Sequence, residues 1–435
     1  MKRILFVIMI LLVVRIGASI TVPGVTINED LQNALNSGSA IGIMNLLGGG
    51  ALSNFSIFAL GVGPYITAQI ITEILSKDVL PSLTELTKQG QYGRRKIEMA
   101  TRYLCLLLGV VQGYGIIKTM ENSQYISISF ESGFLTYAYL VVVLLAGTMI
   151  MMWLGDQITT KGIGNGISVL IFAGCVRTLP TQISTAFQKW VINYTYSGSN
   201  QRLVEGVFRF AIYVLVLLAI IAFVTYIELS KRKIPVQHSG KSGMTAATAK
   251  SSFLPIKINS AGVIPVIFAS SIMTAPSIIA GFIGADVSGA NWTKIFSPSE
   301  LTQMGTNFYF PWGLIIYIVL TVLFCFFYAS LQIAPDQLAE NFQKNGSYIP
   351  GIRPGNETEK YVKKVVNRIT CIGATFLALI AALPNILTLT VFKDDASLAL
   401  GGTGLIIVVG VAIELNNQIN GLLAGKTFDE LTLGA

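Results

Sequence analysis

The chain has 435 residues, of which 52% are hydrophobic and only 12% are charged. Soluble domains carry about 25% charged residues, so this composition excludes an ordinary soluble enzyme and a disordered chain. The 30 basic and 22 acidic side chains give a formal net charge of +8, and the 42 glycines are typical of closely packed membrane helices.

The first apolar segment follows two basic residues, Lys2 and Arg3, at the N-terminus. It resembles a secretory signal peptide, but Arg15 interrupts the apolar run before any small-residue cleavage site. We therefore predict an uncleaved first membrane span over residues 4–20.

Further along the chain, nine segments come close to the roughly 20 mostly apolar residues that a membrane helix needs. These segments are 58–76, 103–120, 135–154, 164–185, 204–228, 259–281, 311–333, 369–391 and 398–416. The sequence thus predicts an all-α polytopic membrane protein with ten transmembrane helices. No stretch between the spans is long and apolar enough to predict a sizeable soluble domain.

Between spans one and two, residues 41–58 form an apolar segment that contains Gly48-Gly49-Gly50. The segment is too broken and too close to span two to cross the membrane by itself. We predict that it folds back into the bundle, because irregular backbone at membrane depth must be buried in protein or line a cavity. The alternative is a loop on the outer surface.

A sequence repeat links spans two and seven, where residues 62–68 and 263–269 both read V-x-P-x-I-x-A. An offset of five spans predicts two halves of opposite topology, residues 1–200 and 201–435, with the functional site at their interface. Proline removes a helix hydrogen bond, so a break is expected at Pro64 and at Pro265.

Basic residues concentrate in the loops that follow spans two, six and eight. The positive-inside rule then places these loops and both termini in the cytoplasm, although Lys189 and Arg202 after span five are exceptions. The loops at about 229–257 and 334–368 are long and polar, and they suit acidic protein surfaces, RNA phosphate or anionic lipid as partners.

The residue types argue against catalysis and against metal or ion coupling. The four cysteines, Cys105, Cys175, Cys325 and Cys371, lie in apolar runs without a CxxC pair, which predicts buried side chains rather than a metal or disulfide site. His238 is the only histidine. The span centres lack carboxylates and bases, which favours a passive path closed by a hydrophobic constriction. We expect no cofactor and no enzymatic activity.

Seven longer segments point together to one family. They are VPGV (22–25), FALGVGPYITAQII (58–71), GRRK (93–96), GIGNGISVLIFAG (162–174), RKIPVQ (232–237), LPIKINSAGVIPVIFASS (254–271) and AENFQKNGSYIPGIRPG (339–355). Through them the chain resembles the SecY family, the channel subunits of bacterial preprotein translocase, over almost its whole length.

The resemblance implies an hourglass pore between the two halves and a role for specific residues. The pore ring would be Val62, Ile66, Ile171, Cys175, Ile267 and Ile407. The plug that caps the pore would include Met44, Leu46, Leu47, Gly48, Gly49, Gly50, Ser53 and Asn54. The polar cluster of a lateral gate between spans two and seven would be Thr67, Gln112 and Asn259. Motor and ribosome docking would use Arg232, Lys233, Lys241 and Arg353.

The resemblance also implies the activity and the partners. The chain would conduct unfolded preproteins across the bacterial cytoplasmic (inner) membrane and release apolar segments sideways into lipid. Its partners would be the small membrane subunits SecE and SecG, the motor ATPase SecA, the ribosome, signal sequences and nascent chains, and membrane lipid. From the residues, two alternatives stay open: a secondary transporter with broken helices for a small solute, and a purely structural scaffold.

Overall fold

The structure is a computed structural model of the 435-residue chain. It describes residues 2–28, 31, 42, 45, 48–76, 80–130, 133–192, 200–238, 253–283, 295–298, 302–304, 308–390 and 401–433.

Helices dominate the described chain. They are α1 (Lys2–Gly17), α2 (Gly63–Ser76), α3 (Pro81–Lys88), α4 (Gln91–Asn122), α5 (Phe134–Lys161), α6 (Gly166–Phe187), α7 (Asn200–Leu229), α8 (Ile264–Ile283), α9 (Trp312–Ile333), α10 (Pro335–Lys344), α11 (Asn356–Thr390) and α12 (Gly401–Leu433). The strands are short: β1 (Val25–Ile27), β2 (Ile126–Ile128), β3 (Lys231–Pro235), β4 (Gln237–His238), β5 (Phe253–Lys257), β6 (Thr302–Met304), β7 (Phe308–Phe310) and β8 (Ser347–Tyr348).

Each of the ten predicted spans coincides with a helix of the described chain. By length and hydropathy, 7 helices there qualify fully as membrane spans, and they lie in α4, α5, α6, α7, α9, α11 and α12. The other predicted spans correspond to α1, α2 and α8, which have 16, 14 and 20 residues. The predicted all-α polytopic fold is confirmed.

The two repeat prolines lie at helix beginnings rather than at breaks within helices. Pro64 is the second residue of α2, and Pro265 is the second residue of α8. The N–H groups of a first helical turn have no partner within the helix, so proline costs little there. The predicted interruption therefore takes the form of a late helix start, and it falls at the same place in both copies.

The helices pack in the same order within each predicted half. In residues 1–200, α2 contacts α4, α4 contacts α5, and α5 contacts α6; in residues 201–435, α8 contacts α9, α9 contacts α11, and α11 contacts α12. Within the described chain, the halves meet where α7 packs against the turn Gln188–Ile192 and along two longer lines of contact between helices. We call them the α8 seam, where α8 packs against α2 and α4, and the α12 seam, where α12 packs against α6.

The loops after α7 and α9 form one unit, which we call the loop platform (residues 231–238, 253–257 and 335–369). β3 pairs with β5 within the first loop, and β4 pairs with β8 of the second loop. The unit has its own buried apolar cluster, which includes Ile234, Ile256, Ile349 and Val362. Neither loop alone was predicted to form a sizeable soluble domain. The apolar cluster contains residues of both loops, which are far apart in the sequence.

Burial of the cysteines differs from the prediction at one position. Cys105, Cys175 and Cys325 are buried, as predicted, whereas Cys371 is exposed on α11. The prediction is wrong for Cys371 because an apolar run places a residue in a membrane helix but does not say which face of that helix it occupies.

Candidate functional site

The six residues predicted to form a pore ring belong to one buried cluster. They are Val62, Ile66, Ile171, Cys175, Ile267 and Ile407. Their exposed fractions range from 1% for Cys175 to 6% for Ile267. Five aliphatic side chains and one thiol give this surface almost no hydrogen-bonding capacity. The structure places these residues in one buried apolar cluster, and their role as a pore ring stays a prediction.

The repeat proline explains how two of these side chains reach equivalent positions. Ile66 and Ile267 each follow the proline of their own repeat copy by two residues, in the first turn of α2 and of α8. The backbone N–H of Ile66 donates to the carbonyl of Val62 at 3.0 Å, and the N–H of Ile267 donates to the carbonyl of Val263 at 3.3 Å. Each half thus contributes one isoleucine to the buried cluster, and in both halves that isoleucine lies in the first turn of a helix.

The predicted plug passes through a notch that glycine forms. A Cβ atom added at Gly61 would overlap the backbone of Gly48, and one added at Gly174 would overlap the backbone of Gly49. Gly49 and Gly50 have φ angles of 70° and 78°, a left-handed conformation that favours glycine. Glycine on both sides is therefore what lets the segment lie between the beginning of α2 and α6.

Polar contacts also hold this segment. Arg177 Nη1 donates to the Gly50 carbonyl at 2.8 Å, and Ser53 Oγ donates to the same carbonyl at 2.7 Å. Arg177 was not among the predicted site residues. An arginine inside an apolar span needs an acceptor, and that signal could have identified it.

Burial excludes the alternative that this segment is a surface loop. Ala51 and Leu52, in the 3-10 turn Ala51–Asn54, have exposed fractions of 1% and 0%. Ala51 belongs to the same buried cluster as the six ring residues, so the segment is part of the core that they share. Ser53 and Asn54 lie in this turn, whereas Met44, Leu46 and Leu47 lie outside the described residues.

The three residues of the predicted gate cluster belong to two hydrogen-bonded groups. Gln112 Nε2 donates to Thr67 Oγ1 at 3.2 Å, which joins α4 to α2. Asn259 is buried, and its Nδ2 donates to Glu228 Oε1 at 2.8 Å and to the Gly262 carbonyl at 3.1 Å. Glu228 was not predicted as a partner, although a carboxylate near the end of an apolar span requires a donor.

The loop platform presents most of the predicted docking residues. Arg232 and Lys233 are exposed on β3, and Lys233 Nζ lies 4.9 Å from the centre of the Phe253 ring. Arg353 is exposed in the turn between β8 and α11, and Lys241 lies outside the described residues. The pairing of β4 with β8 places the two basic groups on one unit.

The turn that carries Arg353 is fixed at both ends. Gly351 and Gly355 have φ angles of 83° and 102°, which strain any residue with a side chain. The Thr358 hydroxyl donates to the Arg353 carbonyl at 2.9 Å, and the Ile352 N–H donates to the Ile349 carbonyl at 3.0 Å. The guanidinium therefore projects from a rigid tip.

Metal-ligating side chains do not cluster in the part of the chain that the structure describes. There, no group of three or more histidine, cysteine, aspartate or glutamate side chains is close enough to hold an ion.

Comparison with known proteins identifies the family of the chain. The SecY family model matches residues 56–416. The protein translocase subunit SecY of Streptococcus gordonii is 40% identical over 427 residues, which covers 98% of this chain and 94% of that protein. The corresponding subunit of Bacillus subtilis is 39% identical over 428 residues, covering 98% of this chain and 95% of that protein.

Solved structures of low sequence identity share the fold. A protein-conducting channel has a TM-score of 0.62 at 19% identity and covers 96% of this chain and 91% of its own. Sec61 in a canine ribosome-channel complex has a TM-score of 0.60 at 17% identity and covers 96% of this chain and 91% of its own. Because the family model matches most of the chain and relatives near 40% identity cover almost all of it, the chain belongs to the SecY family.

Proposed function

We propose that the chain is the protein-conducting channel through which unfolded preproteins cross the bacterial cytoplasmic membrane. One buried cluster contains the six predicted ring residues from both predicted halves, and a glycine-rich segment lies against Gly61 and Gly174; this arrangement carries the proposal. The names of the relatives, protein translocase subunit SecY, support it. The chain would need no catalytic residue, because translocation forms and breaks no covalent bond.

The apolar ring explains how such a channel can conduct a polypeptide and still resist ions. Lipid cannot satisfy the backbone polar groups of an unfolded chain, so a polypeptide needs a watery path. A narrow apolar constriction dewets when it is empty and blocks ions. Aliphatic side chains then fit around any sequence, since they require no particular hydrogen bond. Ring, plug, lateral gate and pore are all parts of this proposal.

The proposed orientation puts both termini and the loop platform in the cytoplasm. Exposed basic residues support it: Arg94 and Arg95 at the beginning of α4, Arg232 on β3, and Arg353 at the rigid tip. The opposite membrane side then holds the C-terminal ends of α4 and α8, which both run outward.

The proposed partners follow from the exposed surfaces. The basic loop platform would dock the motor ATPase SecA and the ribosome, and the canine relative was solved in a ribosome complex. The apolar outer faces of the helices, such as Phe208, Leu215 and Leu218 on α7, would contact lipid and the small subunits SecE and SecG.

Reconstitution tests the proposed function directly. Vesicles with this chain, SecE and SecG should protect a radiolabelled preprotein from external protease when SecA and ATP are added. Vesicles without this chain are the control. Absence of protected preprotein, together with ion-driven uptake of a small solute, would favour a secondary transporter instead.

Arg353→Glu tests the docking role in the same vesicles. Charge reversal at an interface should reduce SecA-driven transport at least about tenfold, which corresponds to ~1.4 kcal/mol of binding. Lys161→Glu is the matched control, because Lys161 is also exposed but lies at the end of α5, outside the loop platform. Unchanged transport by the Arg353 variant, at equal protein amount, would contradict the docking role.

Arg177→Gln tests the plug. Loss of the charged donor to the Gly50 carbonyl should cost the seated plug about 1.5–3 kcal/mol and raise resting ion conductance in planar bilayers. Deletion of residues 44–54 gives the conductance of a channel without the plug. Arg177→Lys keeps a charged donor and should therefore leak less than Arg177→Gln. If the deletion variant conducts ions at rest and Arg177→Gln does not, Arg177 does not hold the plug in place. If neither variant conducts ions at rest, the segment is not a plug.

A further inference from the structure

Two aromatic rings meet across the α8 seam, near the C-terminal ends of α4 and α8. The ring centroids of Tyr114 on α4 and Phe282 on α8 lie 5.1 Å apart, with an interplanar angle of 41°. The next residue, Gly115, lets the helices approach closely, because a Cβ atom there would lie 2.5 Å from Ile278 Cγ2 and 3.2 Å from the Ile278 carbonyl oxygen. This is a close contact between the two halves.

Tyr114 is held in place from the other side by α5. Its ring meets that of Tyr137 edge-on, with centroids 6.0 Å apart. Tyr137 is fixed in turn by two charged side chains of α4, since its hydroxyl donates to Glu121 at 2.9 Å and Lys118 Nζ donates to that hydroxyl at 2.7 Å. Lys118 Nζ also lies 2.9 Å from Glu121 Oε2. Tyr114 therefore stands on a rigid α4–α5 support.

The contact between Tyr114 and Phe282 crosses the α8 seam without a hydrogen bond. The side-chain hydrogen bond between Gln112 and Thr67 joins α4 to α2, and both helices lie in residues 1–200. In the described parts of α2, α4 and α8, no side-chain hydrogen bond crosses the α8 seam. Contact across the seam is therefore apolar and aromatic. Such contacts can part and re-form without leaving an unpaired polar group in lipid.

We propose that Tyr114 is a clasp on the outer end of the α8 seam and that it determines how apolar a segment must be before the seam opens to lipid. The inference rests on the proposed channel function and adds a residue that sets its selectivity. A segment that leaves sideways must separate α8 from α4, and so it must separate Tyr114 from Phe282. Breaking the ring pair adds to the free energy that partitioning of the segment has to supply.

Membrane integration of graded segments tests the clasp. In the reconstituted translocase with SecE, SecG and SecA, a series of test segments with increasing leucine and decreasing alanine content gives the composition at which half the chains integrate. Tyr114→Ala should shift that point by roughly two leucines toward less apolar segments. Tyr114→Phe should keep the wild-type point, because the ring contact is retained.

Two further variants make the result specific. Tyr139→Ala removes an aromatic contact of the same kind, since Tyr139 meets Phe130 edge-on at 6.3 Å, but both residues lie in residues 1–200, so no shift is expected. Phe282→Leu should shift the point in the same direction as Tyr114→Ala, and the double variant Tyr114→Ala/Phe282→Leu should shift it no further than Tyr114→Ala.

Each outcome decides a different claim. If Tyr114→Ala translocates preprotein normally and keeps the wild-type half-integration point, the clasp is overturned and the channel function stands. An equal shift in Tyr139→Ala would also overturn it, because the effect would then be general loosening. If the wild-type translocase protects no preprotein, the proposed function fails and the clasp fails with it.

Discussion

The two seams between the halves differ in how their polar groups are satisfied. In the α12 seam, aliphatic side chains of α6 and α12, such as Val169 and Ile406, are buried in one cluster. One hydrogen bond crosses it at the end, where the Gly164 N–H donates to Gln418 Oε1 at 2.7 Å. The α8 seam contains hydroxyl groups instead. Ser271 Oγ donates to the Ile267 carbonyl at 2.9 Å, and Thr274 Oγ1 donates to the Ser271 carbonyl at 2.8 Å.

In the proposed channel, this difference would let one line of contact open while the other stays closed. Ser271 and Thr274 share a helix face with Ile278, which contacts Gly115 of α4. Because each hydroxyl already donates within its own helix, parting the α8 seam breaks none of these hydrogen bonds. Parting the α12 seam would expose interlocked aliphatic side chains and break the bond to Gln418. In the proposed channel, the α12 seam would therefore act as the hinge and the α8 seam as the opening.

Val169→Asp should have the largest effect, because it breaks the proposed hinge. Val169 is 2% exposed, and an unpaired carboxylate there should destabilise the fold by about 3–5 kcal/mol. Thermal unfolding and size-exclusion chromatography in detergent measure the loss. Val169→Thr is the control, since its hydroxyl can donate one turn back to the Asn165 carbonyl. A stable, monodisperse aspartate variant would mean that this seam is not tightly packed.

Gly115→Ala should have an intermediate effect on the other seam. Its added methyl group would collide with Ile278, and overpacking of this kind costs about 1–3 kcal/mol. We expect α8 to move away and resting ion conductance to rise. Gly113→Ala is matched on the same helix, because its Cβ would lie 3.6 Å from its nearest neighbour, Leu60 Cδ1. Equal conductance of the two variants would argue that α4 and α8 do not meet as closely as described.

Ser271→Ala should have the smallest effect. It tests whether the hydroxyl groups of the α8 seam are satisfied within α8. If the hydroxyl is satisfied within α8, its loss should change the free energy of unfolding by no more than about 0.5 kcal/mol and leave the resting conductance unchanged. Differential scanning calorimetry in detergent and planar-bilayer recording check both. A loss of more than ~1.5 kcal/mol would indicate that Ser271 bonds across the seam after all.

Several parts of the site could be predicted from sequence because their signals are local. The equivalent positions of Ile66 and Ile267 follow from a proline in a repeated motif, whereas their role in a pore ring was implied only by the resemblance to the SecY family. The need for glycine at Gly48–Gly50 follows from a chain that bends within an apolar segment. The hydrogen-bond partners of the buried polar side chains were harder to predict. Asn259 pairs with Glu228 and Arg177 with Gly50, over separations of 31 and 127 residues that no local pattern records.

The sequence by itself determined the all-α polytopic fold, the position of the apolar spans and the family, because the length and polarity of a segment decide whether lipid can hold it. Only the tertiary structure decided which faces meet. It placed Cys371 on an exposed helix face, joined two distant loops into the loop platform, and set Gly61 and Gly174 on either side of Gly48 and Gly49. These outcomes depend on close packing between segments far apart in the chain, and such packing is a property of pairs of surfaces rather than of any one segment.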